Sequence, residues 1–215
     1  VLAIALFFAF IFTQGVKGER VFRSIFFFPQ VLSGVMVGVV WNFVLHPTIG
    51  LLNGALRSVG LTAFASFPWL GEAATVLPAI LLVAVWQSVG FYLVLFISAM
   101  SGIPTDYYEA ARLDGAEGWQ LFRRITLPLI TDTVRVGYIF LAISAMDMFG
   151  LVYTMTNASG GPQRAADVLT LLLTRTAFTD SQFGYATAMA LVLLVLVLGI
   201  SGLSLLLSRR EQFEY

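Results

Sequence analysis

Apolar positions run in long unbroken stretches, and no segment alternates apolar and polar residues with a period of two. Residues 1–16, 24–56, 73–105 and 181–208 carry no charged side chain. A helix crossing a hydrocarbon core of about 30 Å needs about 20 apolar residues. With Pro, Gly and polar edges allowed for, spans are predicted near 26–45, 77–99, 130–153 and 184–207. Backbone groups in lipid must be satisfied within their own segment, so these are expected to be helices. The missing period-two pattern argues against a membrane barrel. The first stretch, VLAIALFFAFIFTQGV, has 16 residues and no basic flank. It reads as a partial span, with the chain beginning inside a transmembrane helix, or as a short interfacial helix, and not as a signal peptide. The expected fold is all-α: a polytopic transmembrane helical bundle of about five visible spans, forming one domain over 1–215.

Composition sharpens this picture. Apolar residues make up 59% and charged residues 11%, where a soluble domain carries about 25% charge. The mean hydropathy is +0.89. A water-soluble fold is therefore excluded, and so is disorder, which needs low hydrophobicity and high net charge. Twelve basic and twelve acidic side chains cancel, which removes nucleic acid as a partner. With no cysteine and one histidine, His46, thiolate chemistry, Cys-based zinc sites and multi-His metal sites are impossible. The one lysine, Lys17, follows Val16 and fits no Walker A loop. No serine lies in a G-x-S-x-G elbow. A membrane-embedded enzyme is thus remote.

The basic residues orient the chain. Lys17, Arg20, Arg23, Arg112, Arg123, Arg124, Arg209 and Arg210 fall on one side of the predicted spans, and Arg57, Arg164 and Arg175 on the other. The positive-inside rule places the larger group, and with it the C-terminus, in the cytoplasm. The segments 46–75 and 155–182 then hold the outer loops.

One cytoplasmic connection is too long to be a simple turn. The loop is 104–127, and it carries most of the segment Tyr107–Leu129, YYEAARLDGAEGWQLFRRITLPL. Pro104 ends the preceding helix, and Thr105 or Asp106 is placed to cap a new one. Asp106 and Glu109 have capping-box spacing, and Asp114 and Glu117 repeat it. Gly115 permits a sharp turn between the two. A second short helix is predicted from Trp119 to Ile125, and Pro128 stands where the next span begins.

Glu109-Ala110-Ala111, then three residues ending in Asp114, then Gly115, then nine residues and Ile125-x-Leu127-Pro128, resembles the EAA signature of ABC importer permeases. The resemblance continues in FRSIFFFPQVLSGVMVGVVWNFVLHPTIGLLN, in VWQSVGFYLVLFISAMSGIP and in TAFTDSQFGYATAMALVLL, and is nearest to sugar-type permeases that pair with a second permease. It implies that the 104–127 loop is a coupling helix docking in a cleft of a separate ATPase. Glu109 would be the polar anchor, Ala110 and Ala111 would allow close approach, and Gly115 would set the turn. It further implies a second permease subunit, two ABC ATPase subunits that use ATP and Mg, an extracytoplasmic solute-binding protein, and no cofactor in this chain. The sequence departs from the family where an acidic residue commonly precedes LVY. Gly150 stands there, and Asp147 lies three positions earlier.

A sugar path needs aromatic faces, amides and hydroxyls. Trp41, Asn42, Trp86, Gln87, Tyr92 and Tyr153 supply them in or near the spans. Trp and Tyr also collect at membrane interfaces, and Asn and Gln also bond between helices. Asp147 is deep in a span, where a charge faces protein or water, so it lines a path or pairs with a neighbour. Asp132 and Arg135 are three apart and are expected to pair on one helix face. Gly34 and Gly38 form a GxxxG suited to close helix packing. The resulting expectation is an importer subunit moving sugars or related polyols by alternating access. The rival, a secondary transporter or channel, would need coupling charges or related half-repeats, and no convincing repeat is visible.

Overall fold

The computed structural model describes residues 1–14 and 18–208, with side chains up to residue 202. Lys17, Arg209 and Arg210, used above for orientation, lie outside the described residues. The described chain is helical throughout. In order it forms α1 (Leu2–Thr13), α2 (Glu19–Val31), α3 (Gly34–Val44), α4 (Leu51–Ser58), α5 (Ala73–Ser101), α6 (Thr105–Leu113), α7 (Trp119–Leu121), a π-helical turn (Phe122–Thr126), α8 (Leu127–Leu129), α9 (Thr131–Met146), α10 (Phe149–Met155), α11 (Leu169–Phe178) and α12 (Phe183–Ser208). α5 and α12 are long and apolar enough to cross a membrane alone, and the count reaches four when each broken pair of helices is taken as one span.

Two predicted spans are not single helices. The 26–45 segment breaks between α2 and α3, where Ser33 is extended (φ −65°, ψ 149°). The 130–153 segment breaks between α9 and α10, where Asp147 and Met148 leave the helix. Pattern reading misses such breaks because hydropathy is continuous across them. The first break frees backbone groups that lipid cannot satisfy. Here the Ser33 hydroxyl accepts from the Met36 N–H at 3.3 Å, and the Gln87 amide donates to the Leu32 carbonyl at 3.0 Å.

The chain forms two compact units. One comprises Val1–Val31, Ser88–Ala142 and Ile200–Tyr215; the other comprises Leu32–Gln87 and Ile143–Gly199. Lipid tails are as apolar as leucine, so association of such helices rests on close packing more than on the hydrophobic effect. In the first unit Ala5 and Ala9, four apart on α1, are fully buried with Leu93, Phe96 and Ile97 of α5. Gly90 is a point of closest approach, since a Cβ there would collide with the Phe26 carbonyl of α2. A chain of phenylalanine rings, Phe22, Phe12, Phe26 and Phe8, runs between α1 and α2.

The second unit is centred on α3 against α10. The predicted GxxxG lies in this contact: a Cβ on Gly34 would sit 3.4 Å from the Leu151 amide, and one on Gly38 would sit 2.8 Å from Thr154 Cβ. Asn53 of α4, 1% exposed, organises the adjacent loop. Its amide donates to the Pro47 and Phe67 carbonyls at 3.0 Å each, and its oxygen accepts from Trp69 Nε1 at 2.6 Å. α12 contrasts with both cores, because only 6% of its most apolar window is buried within the chain. A helix apolar on all sides and uncovered by its own chain faces lipid or another subunit.

Candidate functional site

The predicted helix–turn–helix is present between Thr105 and Leu129, entirely within the first unit. Its start differs from expectation. The N-cap is Pro104, with no side-chain cap bond, so neither Thr105 nor Asp106 caps α6. Asp106 instead places a carboxylate in the first turn, where the helix dipole favours negative charge. The second capping pair also does not form: Asp114 is the C-cap of α6, and the N-cap of α7 is Gly118.

The end of α6 is set by Gly115, whose φ is +79°. The Gly115 N–H donates to the Arg112 carbonyl at 3.0 Å, and the Ala116 N–H to the Ala111 carbonyl at 2.9 Å. This pair of bonds is a Schellman ending, which requires a left-handed residue at that position. Gly118, with φ +50° and ψ −115°, turns the chain again before α7. Past it, the helix widens into a π turn, and the Leu127 N–H donates to the Phe122 carbonyl. Pro128 has no N–H for the Arg124 carbonyl and its ring would press on it; the wider turn gives room.

One side of the hairpin is anchored. Tyr108 and Ala111, three apart on α6, face inward, and the Tyr108 hydroxyl lies 3.2 Å from Thr126 Oγ1. Leu121 and Phe122 are buried, and Phe10 of α1 packs against Phe122 and Trp119 at ring distances of 4.8 and 5.9 Å. The other side is open. Glu109, Ala110, Asp114, Gly115 and Pro128 are exposed, whereas Ala111 is buried and Ile125 and Leu127 are half-buried. Ala111 therefore allows close packing of α6 on its own chain and is not available to an outside partner; of the two alanines, Ala110 faces outward. Sequence reasoning missed two large apolar groups, Leu113 at 89% exposure and Trp119, which packs on Phe10 and Phe122 yet stays 58% exposed. The available signal was their position in a charged segment, next to Asp114 and Gly118. Arg112, Arg123 and Arg124 and the acids Asp106 and Glu117 are exposed on the same hairpin. An open face with two apolar anchors and a mixed-charge rim has the anatomy of a protein contact.

The predicted path residues do not form one group. Tyr92 is 2% exposed in the core of the first unit. The others belong to the second unit. Trp41 and Trp86 meet edge to face at 5.4 Å, with Trp86 exposed. Gln87 donates to Leu32 as described, and Asn42 donates to the Thr154 carbonyl at 3.2 Å, so both amides already serve backbone carbonyls. Tyr153 is exposed and packs on Phe149 at 5.2 Å. Asp147 is exposed at the α9–α10 break and has no ion pair among the described residues. The expected Asp132–Arg135 contact is present at 3.1 Å. His46 is exposed, as expected for a loop, and its Nδ1 lies 3.3 Å from the Thr48 N–H.

Comparison with known proteins bears on this site. A family model described as "binding-protein-dependent transport system inner membrane component" matches residues 2–212. The chain belongs to that family. The chain is 44% identical over 196 residues to the diacetylchitobiose uptake system permease protein NgcF of Streptomyces coelicolor, covering 91% of this chain and 55% of that one. It is 38% identical to the probable ABC transporter permease protein YurN of Bacillus subtilis, covering 86% of this chain and 62% of that one. The chain thus spans little more than half of the first relative. A crystal structure of a bacterial ABC transporter involved in import of the acidic polysaccharide alginate superimposes with a TM-score of 0.81 at 24% identity, covering 98% of this chain and 73% of that one. That likeness shows the fold. The family is thus one of inner-membrane transport components, in line with the apolar, span-length helices described above.

Proposed function

We propose that the protein is a permease subunit of an ATP-driven importer for sugars or related polyols, and that residues 1–215 act in it as one transmembrane domain. The observation that carries this is the hairpin: an exposed, anchored helix–turn–helix bearing the EAA signature, in a chain with no nucleotide motif. ATP free energy must then enter through a partner. Two ATPase subunits, using ATP and Mg, would grip the open face of α6, with Glu109 as polar anchor and Gly115 fixing the angle. Asp114, Ile125, Leu127 and Pro128 shape the hairpin behind that contact. A second permease would complete the path, a loaded solute-binding protein would dock on 46–75 and 155–182, and the C-terminus would lie in the cytoplasm. Closure of the ATPases would carry the hairpin with it and switch the paired bundles from inward- to outward-facing.

The sugar assignment is supported by the relatives' names, which include diacetylchitobiose uptake and, in Haloferax volcanii, xylose/arabinose import. Of the path candidates, Trp41, Trp86, Tyr153 and Asp147 keep exposed or half-exposed groups suited to stacking and hydrogen bonding. Asn42, Gln87 and Tyr92 act through the positions of the helices. The test is uptake in proteoliposomes by the assembled transporter carrying Glu109→Ala or Gly115→Val. Both are expected to insert normally and to uncouple ATP hydrolysis from uptake. Unchanged uptake in both, or uptake that survives ATP depletion and follows an ion gradient, overturns the reading.

A further inference from the structure

The root of the hairpin, on the side away from its open face, encloses a cavity of about 360 Å³. It lies wholly within the first unit, between the last turn of α5, the Gly102–Pro104 connection and the starts of α6 and α9. Pockets that hold small ligands begin near 300 Å³. Ile103, Leu129 and Ile130 form its apolar wall, and Ser98, Tyr107 and Thr133 bring three hydroxyls to it.

These hydroxyls differ from their neighbours. Serine and threonine inside a helix commonly bond back to the carbonyl four residues earlier. Ser101 and Thr131, next to the cavity, do so, to the Ile97 and Leu127 carbonyls at 2.8 and 3.0 Å. Ser98, Tyr107 and Thr133 make no side-chain hydrogen bond among the described residues. A carbonyl joins them. The Gly102 N–H turns to the Ala99 carbonyl at 3.2 Å, so the Ser98 carbonyl loses its regular helical donor. The end of a helix carries partial negative charge and favours cations. No Lys or Arg lines the cavity. Asp106, the chain neighbour of Tyr107, is exposed and has no ion pair among the described residues. The site therefore suits a donor-rich cation and offers an anion no countercharge. An apolar track leads away from it along α9. Thr133, Val136 and Phe140 share one helix face. Val136 and Phe140 are 39% and 47% exposed, and the Phe140 ring meets Phe91 of α5 at 6.3 Å.

We infer that this cavity holds the headgroup of a phospholipid bearing a primary ammonium, with an acyl chain lying along Val136 and Phe140. The ammonium donates to the Ser98 carbonyl and to hydroxyl oxygens, and the hydroxyls donate to the phosphate. A choline headgroup has no N–H to give, and a net-anionic headgroup meets no lysine or arginine. The bound lipid ties the root of the hairpin to the bilayer. The inference rests on α5 and α9 crossing the membrane, and it is independent of the cargo and of the motor.

The test places the assembled, full-length protein in nanodiscs of phosphatidylcholine alone or of an equal mixture with phosphatidylethanolamine of the same acyl chains. Amide exchange over residues 104–113 is expected to slow about fivefold in the mixture, the effect of one net hydrogen bond. Mass spectrometry of the released protein should find phosphatidylethanolamine retained over phosphatidylcholine. Thr133→Val keeps the side chain's shape and removes its hydroxyl, and should shrink the exchange difference to less than about twofold. Ser98→Phe fills the cavity from an exposed position and should remove both the difference and the retained lipid. Thermal melting checks that both variants are folded. Equal exchange of the wild type in the two bilayers overturns the inference. So does a difference that survives both variants unchanged, or retention of phosphatidylglycerol when all three lipids are offered. Each of these results leaves the importer reading standing, because that reading is decided by uptake.

Discussion

The hairpin at 104–129 and the loop at 156–168 both turn the chain through left-handed backbone, and they do so by opposite means. In the hairpin each such position is a glycine, Gly115 or Gly118, and a Cβ on either would meet nothing within 4 Å. The turn is relaxed, and local residue choice explains it. In the loop at 156–168, non-glycine residues occupy four such positions, beside a sheltered ion pair between its own Asp167 and Arg175 of α11. The comparison teaches that one reversal is written in its own glycines, whereas the other is held by a side chain of the helix that follows it. It also suits their proposed tasks. The hairpin has to move as a body with a motor, so its rigidity comes from its own bonds and its anchor on α1. The loop belongs to the proposed docking segment 155–182, and it is braced against the unit that carries it.

The sharpest way to break the comparison is Arg175→Met. Leaving the Asp167 carboxylate sheltered and unpaired should cost about 2–3 kcal/mol, somewhat less than the loss of a fully buried partner. A lowered melting temperature in detergent checks this, and Asp167→Asn should cost less. Next comes Gly115→Ala, which places a Cβ in the left-handed region at a cost of about 1–2 kcal/mol. Its effect should appear in uptake per ATP hydrolysed more than in melting, and Gly115→Asn should be milder, because asparagine tolerates that region. Tyr108→Phe removes the hydroxyl facing Thr126 and should cost about 0.5–1.5 kcal/mol, visible as faster amide exchange in α6. The smallest effect belongs to Gln163→Gly. Relief of the left-handed strain and the entropy cost of glycine nearly cancel, so melting should rise by no more than about 0.5 kcal/mol equivalent. A large loss of stability from that change would mean that Gln163 is not strained, and the contrast between the two turns would disappear.

Much of the fold was legible because lipid leaves few choices. Long apolar stretches had to be helices, and 77–99 and 184–207 lie within α5 and α12. The hairpin was legible in outline because Pro104 and Gly115 have fixed backbone meanings. Its capping was misread. Asp106 and Asp114 have the residue type and spacing of caps, but the preceding proline and the Schellman ending took those positions. The roles of Asn42 and Gln87 were hidden for a different reason. An amide inside a span looks the same whether it awaits a sugar or serves a broken helix, and the breaks themselves leave no mark in hydropathy. Ala111 was misplaced on the open face because a run of three small or charged residues does not say which one the helix turns inward.

The amino-acid order alone determined that the chain forms apolar helices of membrane-spanning length, that it carries no thiol, and that a glycine turn interrupts the charged segment 104–127. These follow from composition, from the length of apolar runs and from the allowed dihedrals of single residues. Tertiary structure decided which carbonyl each intramembrane amide serves, which side of the hairpin stays open, and how Arg175 holds the loop at 156–168. Those outcomes depend on groups brought together from distant parts of the chain, and a linear pattern carries no record of that meeting.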